Sequence, residues 1–235
     1  MTYLVVKQML GFRKLLCVGL ITFGVMSFSA SAQEYASYKI DHYTMSIGQD
    51  GVKRETSYSE NLYRQGSELI YIRNVPASFS KKNDGHGHHN ERHFDSSLSP
   101  QLVSLKKNGE VAFAFLDLEN KARVEVPKVE FNSVGFSGSW SGSYSLVDPA
   151  IFKTMAKKGP GQPINSVWYE QVNDKGITRI LWDEKNKIAL EVELSSKDGL
   201  MKKRSTAKLI NFNDKNPLFT TANNLNMKVI ADYRD

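Results

Sequence analysis

Five turn signals punctuate the chain: "QDG" at 49–51, "RQG" at 64–66, "KNG" at 107–109, "NDKG" at 173–176 and "KDG" at 197–199. Each ends on glycine, which adopts a positive φ without a Cβ clash. The runs between them have strand chemistry. "LVSLKK" and "EVAFAFLDL" flank Asn108-Gly109, a pair suited to a tight hairpin. Val111, Phe113 and Phe115 alternate with Ala112, Ala114 and Leu116, so both faces of that strand are apolar and covered.

The C-terminal third repeats the pattern. "SVWYEQV", "ITRILWD", "KIALEVELS" and "LMKKRSTAKLINF" read as four strands joined by short turns, an antiparallel meander. Ile188, Leu190, Val192 and Leu194 alternate with Ala189, Glu191, Glu193 and Ser195, which gives one buried and one wet face. "YKIDHYTMSI" and "SELIYIRNV" supply earlier strands, and "ARVEVPKVEF" another, in which donorless Pro127 marks an edge or a bulge. A helix is expected over "DPAIFKTMAKKG", with Asp148 as N-cap, Pro149 at its first position and Gly159-Pro160 as the stop. The expectation is a mainly β chain of nine to eleven strands in one antiparallel sheet, with one or two short helices packed on it.

The first 32 residues read as a leader rather than as fold. Lys7, Arg13 and Lys14 precede the apolar run "LLCVGLITFGVMSF", and Ala30 and Ala32 occupy the small-residue positions of a cleavage site before Gln33. The run is shorter than the roughly 20 residues of a spanning helix, so a cleaved signal peptide is favoured over a retained anchor. That leaves one domain over residues 33–235, periplasmic or secreted, and not an integral membrane protein after cleavage. The whole chain is +6, with 31 basic and 25 acidic residues. Three of those basic residues and no acidic one lie in the leader, leaving 28 against 25. So balanced a surface gives no reason to expect nucleic acid as partner. Cys17, the only cysteine, falls inside the leader, so the mature chain has no disulfide and no thiolate ligand.

Residues 76–100, "PASFSKKNDGHGHHNERHFDSSLSP", form an insertion between two strands. It holds four of the five histidines. His86 and His88 make an H-x-H pair, and His89 and His93 share one face of a helical turn. Glu91, Asp84 and Asp95 add oxygen donors. Neutral imidazoles without thiolates suit Zn, Cu or Ni. The alternative is a solvated polar loop whose two glycines hold no fixed geometry. His42, on the first strand, is a further candidate from the sheet, or simply a half-buried strand histidine.

"VGFSGSWSGSYSLVDP", 134–149, pairs small residues with Phe136, Trp140 and Tyr144, and can present aromatics to a ligand. Gly138-Ser139-Trp140-Ser141-Gly142 matches G-x-S-x-G literally, but the nucleophile elbow belongs between a parallel strand and a helix. Trp168, Tyr169 and Trp182 read as core before they read as a ligand cage. No paired acids at catalytic spacing, phosphate loop or dinucleotide fingerprint stands out.

The stretch "GITRILWDEKNKIALEVELSSKDGLMKK", 176–203, closes one strand on Trp182-Asp183, turns into an alternating strand, and passes through Lys197-Asp198-Gly199 into another. In this it resembles the late meander of the periplasmic half-barrel superfamily of outer-membrane lipoprotein carriers. The resemblance implies a curved, half-barrel-like sheet with an apolar concavity for a lipid, a lipidated partner or another periplasmic protein. The expected function is therefore a non-enzymatic exported binding or carrier protein. The alternative is a periplasmic metal-binding protein acting through His86, His88, His89 and His93.

Overall fold

The computed structural model describes residues 35–75, 95–212 and 215–233, all within the compact unit Ser31–Asp235. Among the described residues, twelve strands form one curved open sheet in two meanders. The first runs through β1 (Tyr35–Ile47), β2 (Lys53–Gln65), β3 (Glu68–Asn74), β4 (Gln101–Leu105), β5 (Val111–Asp117) and β6 (Ala122–Val126). The second runs through β7 (Ala156–Pro160), β8 (Ser166–Asn173), β9 (Gly176–Asp183), β10 (Ile188–Ser196) and β11 (Met201–Phe212). β1 pairs antiparallel with β11 and joins the two meanders. β12 (Asn226–Val229) closes one edge by pairing parallel to β6, the one exception to the antiparallel pattern among the described strands.

Register assigns the faces. Tyr38, Ile40 and His42 oppose Leu62, Glu60 and Tyr58 on β2, and Leu209, Ala207 and Ser205 on β11. This inner face bears the main core, which includes Tyr38, Ile40, Leu62, Leu69, Val103 and Phe113. Each such side chain taken out of water contributes about 1.5–3 kcal/mol before chain entropy is charged against it. On the outer face, Ile70, Leu102 and Leu116 are covered by α2 (Leu218–Asn223) through Phe219 and Ala222. β5 is therefore buried on both faces, as its alternation of large and small apolar residues requires.

Nine of the twelve strands fall on the runs read from sequence; β2, β7 and β12 do not. The first half of β2 is exposed, and in the strand as a whole only Leu62 and Arg64, both in its second half, are buried. It lacks the alternation that would mark a strand, and is held by pairing with β1 and β3. Two boundaries also differ. Asp148 caps as expected, its carboxylate accepting from Ala150 N at 3.0 Å, but the helix is a 3₁₀ segment, Pro149–Thr154. Lys157 and Gly159 then pair with β8 as edge strand β7, with a bulge at Lys158 between them, because the tertiary pairing outweighs the helix expected there. β6 stops at Val126, and Pro127 leads into a 3₁₀ turn at Lys128–Glu130 instead of lying in an edge strand.

Candidate functional site

The inner face is covered by the segment between β6 and β7. Its one α-helix is α1 (Trp140–Ser145), capped by Ser139, whose hydroxyl accepts from Gly142 N at 3.0 Å. Trp140 and Tyr144 lie four residues apart and so share a helix face, with ring centroids 5.7 Å apart, and both pack on the main core. Ahead of them, Phe136 stacks on Phe113 at 4.6 Å, and Phe131 meets Phe136 edge-on at 4.8 Å. After them, Phe152 packs against Tyr169 at 4.4 Å and Trp182 at 5.0 Å. The aromatic segment singled out from sequence is thus a lining laid on the sheet. Ser141 sits inside α1 with its Oγ 3.2 Å from that of Ser139, far from the strand-to-helix context of a nucleophile elbow.

Two side chains fasten this cover. Arg64, 4% exposed, donates to the carbonyls of Asn186, at 3.1 Å, and Tyr144. Its guanidinium lies 4.0 Å from the Tyr144 ring centroid and 4.9 Å from that of Tyr38. Tyr71 donates its hydroxyl to the Ser143 carbonyl. The last carbonyls of a helix have no partner within it, and they are where a cation is favoured. Burial pulls the Arg64 pKa below its ordinary value, against the opposing influence of Tyr38, Tyr144 and Tyr71. Burial also pushes the Tyr38 and Tyr71 phenols up, so both stay neutral. Nothing in the sequence marked Arg64, since a charged residue next to a turn reads as solvated.

At the end of the inner face away from the cover, His42 ties three strands together. Its Nδ1 lies 2.9 Å from Ser205 Oγ on β11, and its Nε2 lies 3.0 Å from Glu60 Oε1 on β2. The ring stacks on Tyr58 at 4.6 Å, and Arg73 covers Tyr58 at 4.4 Å. Both ring nitrogens are engaged, which leaves no lone pair for a metal. Serine, histidine and carboxylate have the composition of a hydrolytic triad, but an oxyanion needs donors aimed at it. The β1 backbone around His42 faces strands on both sides and spends its amides in the ladder. No cluster of three metal-ligating side chains occurs among the described residues. His86, His88, His89 and His93 lie outside the described residues.

The outer face of the second meander is polar and ordered in rows. Glu170, Arg179, Glu193 and Arg204 stand directly opposite one another across β8, β9, β10 and β11, alternating in sign. Arg179 Nε reaches Glu170 at 2.8 Å, Lys158 reaches the same carboxylate at 3.0 Å, and Arg204 reaches Glu191 at 2.9 Å. These two cations hold the Glu170 carboxyl below its ordinary range, the bond from Arg179 being the larger cause. In the next row Trp168, Leu181 and Glu191 oppose one another, and Trp168 borders a cleft of about 410 Å³.

No protein-family model matches the chain, and no curated protein does. Among solved structures, it is similar to PNGF-II, with a TM-score of 0.40 at 12% identity, over 85% of this chain and 32% of that one. The chain thus spans about a third of the length of that protein. It is also similar to a putative outer membrane lipoprotein-sorting protein domain from Vibrio parahaemolyticus, with a TM-score of 0.34 at 9% identity over 80% of this chain and 92% of that one. A LolA superfamily protein from Nitrosomonas europaea gives 0.34 at 9% identity, over 80% and 90% of the two chains.

Proposed function

We propose that this protein is an exported, periplasmic carrier that holds an apolar chain, from a lipid or a lipidated partner, against the inner face of its sheet. The observation that carries this reading is the nature of the cover. A second sheet would be locked by ladders, whereas here the core is closed by short turns and a six-residue helix. A helix of that length has little stability of its own in water. Tyr71 and Arg64 fasten it by a few hydrogen bonds. Lifting it exposes Phe113, Leu62 and Tyr38 without breaking a strand pairing. Export rests on the leader, and the mature mass should begin at Gln33.

Delipidated protein titrated with a fluorescent fatty acid should show saturable binding, displaced by a diacylated lipopeptide. Tyr71→Phe removes the bond to Ser143 and should tighten binding by several fold, because a cover that opens more readily raises the binding-competent population. Absence of saturable binding in both proteins, with no lipid recovered from the purified protein by mass spectrometry, would overturn the proposal.

A second reading rests on the crowding of four of five histidines into residues 86–93. In it, His86, His88, His89 and His93 capture Zn, Cu or Ni. Calorimetry on tag-free protein should then give an affinity that falls as pH drops through about 6.5, where imidazoles protonate and cease to be ligands. Equal affinity in a His88→Ala/His89→Ala/His93→Ala variant would sink it.

A further inference from the structure

The three tryptophans have different surroundings. Trp140 packs with Tyr144 and Trp182 with Phe152, both on the inner face. Trp168 is on the outer face, and among the described residues its indole makes no ring contact and no hydrogen bond. Two glycines shape the space beside it. Gly159 opposes Trp168 with φ +142°, and a Cβ there would meet nothing within 4 Å, so the cleft stays open on that side. At Gly161 a Cβ would fall 2.3 Å from Leu181 Cδ1, which would have to turn aside, and 3.4 Å from Trp168 Cδ1, an ordinary contact, so this backbone runs close beside the indole. A second depression of about 490 Å³, bordered by Pro160, Gly161, Gln162, Trp168 and Glu191, adjoins the 410 Å³ cleft.

The charges around Trp168 are matched. Lys158, Arg179 and Arg204 are paired to Glu170, Glu191 and Glu193. Each of these charges is engaged by one of opposite sign, so none stands free to draw an ion. An acyl chain lying here would cover these ion pairs and strip water from them without giving back a hydrogen bond, a cost that a ligand bearing hydroxyls avoids. What remains is a set of fixed donors and acceptors around one flat aromatic surface. A complementary ligand is neutral, carries hydroxyls along its rim and presents a face of weakly positive C–H groups to the negative face of the indole. A pyranose ring has those properties, and the volume is within the range of small-molecule sites.

We propose that the cleft at Trp168 is a neutral-saccharide site, with the indole as platform and the Glu170–Arg179 pair, Lys158 and Glu191 as hydrogen-bonding rim. It is separate from the inner face and does not depend on the carrier reading.

The test is a nuclear magnetic resonance titration of uniformly ¹⁵N-labelled protein, following the three indole N–H signals, with that of Trp168 assigned through Trp168→Phe. Cellobiose, maltose and di-N-acetylchitobiose are added separately at millimolar concentration, with choline chloride and sodium acetate as cation and anion controls. At least one sugar should shift the Trp168 signal saturably while those of Trp140 and Trp182 stay in place. Trp168→Ala should weaken binding of that sugar, read from backbone amides of β8 and β9, by roughly tenfold, equivalent to about 1.4 kcal/mol. Trp168→Phe, which keeps an aromatic face, should retain most of it. No shift with any of the three sugars would overturn the proposal. So would a larger shift with choline or acetate, or sugar binding undiminished in a folded Trp168→Ala protein.

Discussion

Gly176→Ala should lower stability by about 4 kcal/mol, or roughly 10 °C in melting temperature for a domain of this size. Gly176 opens β9 with φ +148°, and a Cβ built there would stand 1.9 Å from the Ser195 carbonyl oxygen and 2.9 Å from Ser196 Cα. Those are backbone atoms of the paired strand β10, so no side-chain rotation relieves the clash. The turn before it is already fixed, with Asn173 Oδ1 accepting from Lys175 N at 2.9 Å and Gly176 N at 3.2 Å. Relief must therefore come from parting β9 and β10, in the middle of the second meander. Gly51→Ala is the control: φ is +72°, but no atom lies within 4 Å of the added Cβ. It should cost only about 1 kcal/mol, the ordinary penalty for a left-handed alanine. Thermal unfolding of the two variants side by side decides the matter, and equal small losses would contradict the close approach at Ser195.

The second large effect is expected at Arg64. Arg64→Ala leaves the carbonyls of Tyr144 and Asn186 without their donor and opens a cavity between Tyr38 and Tyr144. Each buried acceptor left unpaired costs about 1–3 kcal/mol, so a loss of roughly 3–4 kcal/mol is expected in urea unfolding. Arg64→Met keeps most of the volume and removes the desolvated charge, which offsets part of the lost bonding, so its loss should be about half as large. Near-ultraviolet circular dichroism, sensitive to Trp140 and Tyr144, should change in both variants because the same guanidinium orients the end of α1. A loss below about 1 kcal/mol for Arg64→Ala would mean that the cover is held by its aromatic packing and the Tyr71 bond without help from Arg64.

The chemistry of the inner face was partly legible in the sequence. Phe136, Trp140 and Tyr144 stood out because aromatics set among glycine and serine are unusual, and they do line the sheet. Arg64 and Tyr71, which hold them there, gave no signal, since their partners are backbone carbonyls 80 and 72 residues away. The same holds for His42, whose Ser205 contact spans 163 residues. Trp168 is a different case. Tyr169 and Trp182 are packed as expected, while Trp168 is turned outward by strand alternation, an outcome that depends on which face the second meander buries.

Local chemistry sufficed wherever structure is decided within a few residues. The glycine turns, the alternating runs, the Asp148 cap and the antiparallel meander of residues 166–212 follow from φ preferences and side-chain period, which act over a single hairpin. Tertiary structure alone decided what requires distant partners. β2 is a strand although its polar sequence has no strand pattern, because β1 and β3 satisfy its amides on both sides. β7 exists because β8 offers an open edge to Lys157 and Gly159, outweighing a helix that would have ended there. The union of the two meanders through β1 and β11 sets the faces of the whole sheet, and with them which aromatics are core and which meet solvent. A ladder bond is worth little until both strands are in place, so no stretch of sequence read alone carries its energy.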